Sequence, residues 1–505
     1  MYQTPPHTRQ HPAVPDCEHQ PQFTAVPPPA RWRYKPRRTW WRTRAARAGA
    51  VVTVLALCAL VILAIVRDQT GTHGFLVGLG LAVLPVPLLV AAFRWLDRVE
   101  PEPWRNLVFA FAWGAFAAAL VAIIANSFAT RWIATATADP AAAESLGATV
   151  IAPVVEESAK AAAILLIFLF RRRDFTGLVD GVVVAGFTAT GFAFTENILY
   201  LGNAFGEDQD AGASGLASVT AATFFVRIVM SPFAHPLFTV LTGMGFGLAA
   251  LAPPRRRRWR RIALPLLGLA LAMAMHALWN GSAVFGGYGF YLVYAVFMVP
   301  AFALVTWLAV WTRQRELRTI ATELPAYAAA GWLLATEPLA LSSMRARALA
   351  RGAAARTYGG AAGGRPGSRA AGRAAARAVA EYETFATSLA FLRHRAGRGA
   401  LGPDFPAREQ ELLHHLWQRR EVAGPALEYA ARAAGRVRTP PHGRHSGTTR
   451  LRSPPGSRTG TDTGTARPLT RSTPRTTRTG SSSRRAMSGG TRNGSPGTVA
   501  GTAVS

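Results

Sequence analysis

Cysteine and acidic residues are both scarce in this chain. Two cysteines, Cys17 and Cys58, occur among 505 residues, which excludes a disulfide framework and a metal site built from thiolates. Acidic residues number 27 against 56 lysines and arginines, giving a formal net charge of +29, although half of the residues are hydrophobic. A single soluble domain rarely combines these properties, so we expect an apolar, membrane-embedded part with basic ends.

Long apolar runs are confined to the middle of the chain. Eight of them approach or exceed the roughly 20 residues that cross the hydrocarbon layer of a bilayer: 48–66, 73–93, 106–128, 147–170, 178–200, 220–250, 262–281 and 288–311. The sixth run contains Pro232 and Pro236, which predict a kink. The sequence therefore predicts an all-α protein, a polytopic membrane bundle of about eight transmembrane helices.

The composition divides the chain into four parts. We expect a basic Pro/Arg/Trp-rich tail at 1–46, the membrane domain at 47–315, a small cytoplasmic helical region at 316–425 and a disordered Arg/Thr/Ser/Gly-rich tail at 426–505. Within the helical region, the Gly/Ala/Arg-rich segment 358–375 predicts a flexible loop. The basic tails favour contact with anionic lipids of the inner leaflet, and no specific nucleic-acid recognition is expected, because no folded reading module accompanies the charge.

Basic residues alternate between the predicted loops and indicate the orientation of the helices. One set of loops carries several arginines, namely Arg94, Arg98, Arg105, Arg171–Arg173 and Arg255–Arg258, whereas the opposite set carries Arg67 and Arg131. Because positively charged loops stay on the cytoplasmic side, we predict a multi-pass protein of the cell membrane with both termini in the cytoplasm.

Two adjacent glutamates, Glu156 and Glu157, lie near the middle of the fourth apolar run. A charged side chain at the bilayer centre costs about 2.5 to 3.5 kcal/mol on insertion scales, so an ionisable group there indicates a functional site by default. Lys160 is one helical turn away and can neutralise one of the two acids, but it cannot neutralise both.

Three further predicted helices bring polar residues to the same outer half of the membrane. The fifth carries Glu196 and Asn197, the sixth His235, and the seventh His276 and Asn280. Each residue has an ordinary structural explanation by itself, but four coincidences at one depth favour a shared site. We therefore predict a catalytic group with supporting neighbours; the catalytic residues are Glu156, Glu157, Glu196, His235 and His276, and the supporting residues are Lys160, Asn197, Asn280 and Arg227. Arg227 either extends to the lipid headgroups or pairs with Glu196 or with a substrate carboxylate.

Four short strings in this region resemble the motifs of a known family in order and spacing. EESAK at 156–160, FAFTEN at 192–197, HPLFT at 235–239 and HALWN at 276–280 are similar to those of the PrsW family of intramembrane proteases, relatives of the CAAX prenyl endopeptidase group. The resemblance covers about 100–315. It implies a multi-spanning helical protein that cleaves a single-pass membrane substrate. The family's known role is to cleave anti-sigma factors on their extracytoplasmic side.

Two mechanisms fit these residues. In the first, a divalent metal is bound by His235, His276 and one carboxylate from Glu156, Glu157 or Glu196. We select Glu157 as the carboxylate ligand and zinc as the metal. In the second, a buried glutamate deprotonates water without a metal, while His and Asn donors stabilise the oxyanion. The sequence lacks the HExxH helix of soluble zinc proteases. The alternatives to a protease are a proton-coupled transporter, although no repeated halves are found, and a catalytically idle substrate-binding scaffold.

Overall fold

The computed structural model describes residues 41–171, 175, 177–252, 257–360, 366–398 and 404–436. Every regular element within these ranges is helical, which confirms the all-α class. The parts of the predicted tails before residue 41 and after residue 436, and the basic residues Arg172, Arg173, Arg255 and Arg256, lie outside the described residues.

The helices follow one another with short connections. In chain order they are α1 (Trp41–Ala82), α2 (Val86–Leu96), α3 (Trp104–Ala112), α4 (Ala119–Thr137), α5 (Pro140–Leu146), α6 (Ala152–Phe170), α7 (Leu178–Ala211), α8 (Val219–Phe224), α9 (Ala234–Ala250), α10 (Arg257–Gly281), α11 (Gly286–Val293), α12 (Val299–Glu323), α13 (Pro325–Ala329), α14 (Glu337–Leu341), α15 (Met344–Gly359), α16 (Pro366–Gly397) and α17 (Phe405–Ala433). Wider π-helical segments join consecutive helices at Trp113–Ala118, Gly147–Ile151, Phe225–Met230 and Tyr294–Met298.

Six helical stretches in the described ranges are long and apolar enough to cross a membrane: Ala48–Leu96, Trp104–Thr137, Leu178–Ala211, Val219–Ala250, Arg258–Gly281 and Gly286–Ala329. The sequence predicts about eight, and the difference has two sources. The first stretch contains two predicted spans, and its helix is interrupted at Gly71, where φ is 69°, a conformation that favours glycine. The predicted fourth span, α6, has 19 residues and is as apolar as the other helices on average, but it carries three charged side chains, which sets it apart from the apolar segments of the six.

Helix α7 is the centre of the membrane bundle. The apolar segment of Leu178–Ala211 is 94% buried, whereas the apolar segment of Ala48–Leu96 is 17% buried. The mean hydropathy of the α7 segment is nevertheless only half as high as that of Ala48–Leu96. Small residues allow this close packing: a methyl group added to Gly181 would lie 2.0 Å from the carbonyl oxygen of Gly243 on α9. The most hydrophobic helices therefore form the lipid-facing periphery, and the less hydrophobic α7 occupies the protein interior.

The C-terminal helices α13–α17 form a second apolar core. Arg347, which is 2% exposed, lies inside it and donates hydrogen bonds to the carbonyl oxygens of Leu341 and Val99 and to the Thr387 hydroxyl, at 2.7, 3.1 and 2.8 Å. Val99 belongs to the loop between α2 and α3, and it is buried in the same core. The C-terminal bundle is therefore packed on a loop of the membrane domain.

Three predicted boundaries in this region differ from the structure. The boundary at 315/316 falls inside α12, which continues without a break to Glu323. The predicted flexible loop at 358–375 was wrong for 366–375, which are helical, because this segment is rich in alanine and arginine, both strong helix formers. The predicted disordered tail from 426 was wrong as far as Ala433, because Leu427 and Ala430 continue the buried face of α17.

Candidate functional site

All nine predicted site residues lie around or directly behind one small cavity. The cavity has a volume of about 120 Å³ and is lined by residues of α4, α6, α7, α9, α10 and α11 and of the π-helical segments before α6 and α9. Eighteen residues form its wall, including Glu156, Glu196, Arg227, His235 and His276. A polar cavity among apolar helices is the feature that water-dependent chemistry inside a membrane requires.

Glu157 lies behind the cavity and is fully buried. One of its oxygens, Oε1, accepts a hydrogen bond from Lys160 Nζ at 2.8 Å and lies 3.2 Å from His276 Nδ1. The other, Oε2, accepts a hydrogen bond from the Thr239 hydroxyl at 2.8 Å. Because both oxygens are engaged, Glu157 can hold the His276 ring in place, an arrangement typical of carboxylates that orient a histidine.

Lys160 is also fully buried, and it connects the acid pair to His235. Its ammonium lies 3.2 Å from His235 Nδ1, 3.4 Å from Glu156 Oε2 and 3.8 Å from the centre of the Phe192 ring. Isolated burial of an ammonium group would be costly, but here two carboxylates and an aromatic face surround it. The predicted pairing of Lys160 with the acids is thus present, together with a contact to a histidine 75 positions away.

Arg227 pairs with Glu196, which settles the choice that the sequence left open. Arg227 Nη2 donates to Glu196 Oε2 at 2.5 Å, its Nε donates to Asn197 Oδ1 at 2.8 Å, and its guanidinium stacks 4.0 Å from the centre of the Tyr200 ring. The same Glu196 oxygen lies 2.6 Å from His235 Nε2. Arg227 therefore fixes the carboxylate that contacts His235.

Two of the π-helical segments position this group. The π-helical segment Gly147–Ile151 precedes α6 and contains Ala148. Asn280 Nδ2 donates a hydrogen bond to the Ala148 carbonyl oxygen at 2.9 Å. The π-helical segment Phe225–Met230 contains Arg227 and ends shortly before α9 begins. Such single-turn deviations are common at functional sites, because they redirect a side chain without breaking the helix.

Glu156 is the carboxylate of the pair that lines the cavity. It is 7% exposed, and its Oε1 lies 3.4 Å from the Asn126 amide nitrogen, while its Oε2 lies 3.9 Å from His276 Nε2. Donor atoms from Glu156, His235 and His276 all lie within 4.8 Å of one another. The carboxylate that joins the two histidines in the structure is thus Glu156, whereas the sequence analysis selected Glu157, whose oxygens are occupied by Lys160, His276 and Thr239.

Sequence analysis did not identify Asn126 and Thr239. Asn126 is an amide within the apolar third run, which is a signal in itself, but no motif marks it. Thr239 is the last residue of the HPLFT string, one helical turn after His235, and its hydroxyl reaches Glu157 rather than its own helix. Both residues contact the acid pair from neighbouring helices, and such contacts depend on how the helices pack.

The fold and the site together define a polytopic membrane protein with a buried acid–imidazole centre. Residues 102–305 match the family model described as PrsW family intramembrane metalloprotease. The chain is 29% identical over 185 residues to Protease PrsW of Geobacillus kaustophilus (strain HTA426), covering 36% of this chain and 72% of that protein. It is 28% identical over 163 residues to Protease PrsW of Clostridioides difficile (strain 630), covering 32% of this chain and 62% of that protein.

Comparison with solved structures finds no match to this chain. The family-model match over residues 102–305 and these two relatives confirm the resemblance to the PrsW family that the four motifs indicate. The matched region contains the whole cavity, whereas the C-terminal bundle lies beyond it.

Proposed function

We propose that this protein hydrolyses a peptide bond in a single-pass, membrane-anchored substrate near its extracytoplasmic side. The observation that carries this proposal is the convergence of Glu156, His235 and His276 on one cavity, with Glu157 and Glu196 each holding one of the two imidazoles. An anti-sigma factor is the proposed class of substrate, on the basis of the family resemblance. The basic loops support an orientation with both termini in the cytoplasm.

Glu156 is the proposed general base. Its carboxylate lines the cavity; Asn126 of α4 contacts one of its oxygens, and Lys160, one turn further along α6, contacts the other. A water in the cavity would be within reach of this carboxylate and of His276 Nε2. General acid–base catalysis of this kind contributes roughly 100-fold to 10,000-fold to a rate.

The donor set also fits a divalent metal. Glu156, His235 and His276 would hold it, since their donor atoms lie within 4.8 Å of one another, and the contact between Glu157 and His276 Nδ1 leaves Nε2 directed toward Glu156. With three carboxylates and the two cations Lys160 and Arg227, the cluster has a formal charge of −1 when both imidazoles are neutral, which favours a cation. A bound zinc ion would polarise the scissile carbonyl and lower the pKa of water.

The proposal is tested with purified full-length protein and a set of single-pass reporters that vary in the sequence next to their membrane span. Glu156→Gln and His276→Ala should each lower cleavage at least 100-fold, while the matched variant Glu144→Gln, an exposed acid on α5, should cleave normally. Loss of activity with a chelator and its recovery with zinc would select the metal mechanism over the metal-free one. Cleavage that survives both site variants would refute the site, and proton flux without cleavage would favour the transporter.

A further inference from the structure

Lys160 contacts three different functional groups of the site, and its charge constrains their protons. It is fully buried, with Glu157 Oε1 at 2.8 Å, His235 Nδ1 at 3.2 Å and Glu156 Oε2 at 3.4 Å. Two carboxylates at these distances favour the ammonium form of the lysine. An ammonium has three hydrogens to donate and no lone pair to accept one.

This property determines which nitrogen of His235 carries the proton. Because Lys160 can only donate, His235 Nδ1 must accept and therefore carries no hydrogen. The other nitrogen, Nε2, lies 2.6 Å from the carboxylate of Glu196, which can only accept while Arg227 keeps it ionised. Both neighbours thus require the tautomer with its hydrogen on Nε2.

His276 is in the opposite situation. Its Nδ1 faces Glu157 Oε1 at 3.2 Å, and Lys160 and the Thr239 hydroxyl already donate to the two oxygens of that carboxylate. Glu157 is therefore an acceptor, and the hydrogen of His276 lies on Nδ1. Its Nε2 retains a free lone pair, 3.9 Å from Glu156 Oε2 at the cavity.

We propose that Lys160 is a positioning residue that gives the two histidines opposite tautomers and hence different tasks. His276 presents a lone pair to the cavity, which suits it to accept a proton or to bind a cation. His235 presents an N–H group, which suits it to stabilise negative charge, and it would have to lose that hydrogen from Nε2 before binding a cation there. This division of tasks rests on the proposed protease function, but the tautomers themselves do not.

Nitrogen NMR of the two rings tests the proposal without any substrate. Full-length protein labelled with ¹⁵N-histidine is treated with a chelator and placed in lipid bilayers, and the two rings are assigned from the signals lost in His235→Gln and His276→Gln. We expect a protonated Nε2 and a bare Nδ1 for His235, and the reverse for His276. The same tautomer at both residues, or the reversed pair, would overturn the proposal.

A variant of the lysine then tests its role. In Lys160→Met, the bare Nδ1 signal of His235 should shift away from its hydrogen-bonded position. The matched variant Thr239→Val removes a different donor to Glu157 and should leave the His235 signals unchanged. Equal His235 spectra in both variants would refute a positioning role for Lys160. Once the two rings are assigned, the spectrum of the native protein decides the tautomers, and it does so whether or not the protein cleaves a substrate.

Discussion

Two carboxylates in the core of the C-terminal bundle should make its stability depend on pH. Glu337 and Glu383 are each 2% exposed. Burial is the largest influence on both, and it raises their pKa from 4.5 to about 7. A hydrogen bond from the Tyr382 hydroxyl to Glu337 at 2.6 Å and one from Arg351 to Glu383 at 2.7 Å lower these pKa values, but they do not outweigh the burial.

The sign of the effect follows from proton binding. Between about pH 4.5 and pH 7 the folded bundle holds protons on these acids that the unfolded chain has released, so the free energy of unfolding falls as the pH rises through this range. One pKa unit corresponds to about 1.4 kcal/mol, so each acid lowers the stability by roughly 3 kcal/mol over this range. Above pH 7 the loss is complete, and below pH 4.5 it is absent.

Replacing either acid with its neutral amide should remove this loss. We expect Glu337→Gln or Glu383→Gln to stabilise the bundle by up to about 3 kcal/mol at pH 8 and to change it little at pH 5, where the native acid is already mostly protonated. Glu411→Gln is the matched control, because Glu411 is a partly exposed residue of α17 that pairs with Arg408 and does not influence the pKa of either buried acid.

Hydrogen exchange measured by mass spectrometry on the full-length protein in mild detergent can test this. Opening free energies for peptides from α16 and α17, corrected for the intrinsic pH dependence of exchange, should be larger at pH 5 than at pH 8 in the native protein. The difference between the two pH values should shrink in each Gln variant and not in the control. Equal protection at pH 5 and pH 8 in the native protein would refute the reasoning, as would a Gln variant less stable than native at pH 8.

Two further predictions concern the membrane domain. Gly181→Leu should prevent correct packing of α7 on α9, because any Cβ at this position meets the backbone of Gly243. Gly80→Leu should be tolerated, because Gly80 has open space around it. The yield of monodisperse protein in detergent measures the effect of both substitutions. Arg227→Met should lower cleavage by 10-fold or more by leaving Glu196 without its guanidinium, with Arg227→Lys recovering part of the activity; activity in Arg227→Met equal to native would contradict this role.

The sequence predicts the membrane domain well because its signals are local. Apolar runs, the cost of an intramembrane acid and the four short motifs each depend on residues close together in the chain. The C-terminal part is less predictable, because its alanines and arginines favour a helix while its glycines and prolines indicate a loop. The segment 366–375 reads as a flexible Gly/Ala/Arg loop, yet it is helical where Gly372 allows α16 to approach α15 closely. Such an approach is a tertiary feature, and no spacing in the sequence encodes it.

The choice between Glu156 and Glu157 shows the same limit at the scale of a single residue. Adjacent residues on an α-helix point about 100° apart, so one glutamate of the pair can face the cavity while the other faces the neighbouring helices. Which one does so depends on the rotation of α6 in the bundle. Contacts between helices accompany that rotation: the Thr239 hydroxyl donates to Glu157, Lys160 Nζ lies against His235 Nδ1, and the Asn280 side chain donates to the Ala148 carbonyl oxygen. The pair is therefore best understood as two acids with separate tasks. Glu156 faces the cavity, and Glu157 faces His276 and Thr239 of the neighbouring helices.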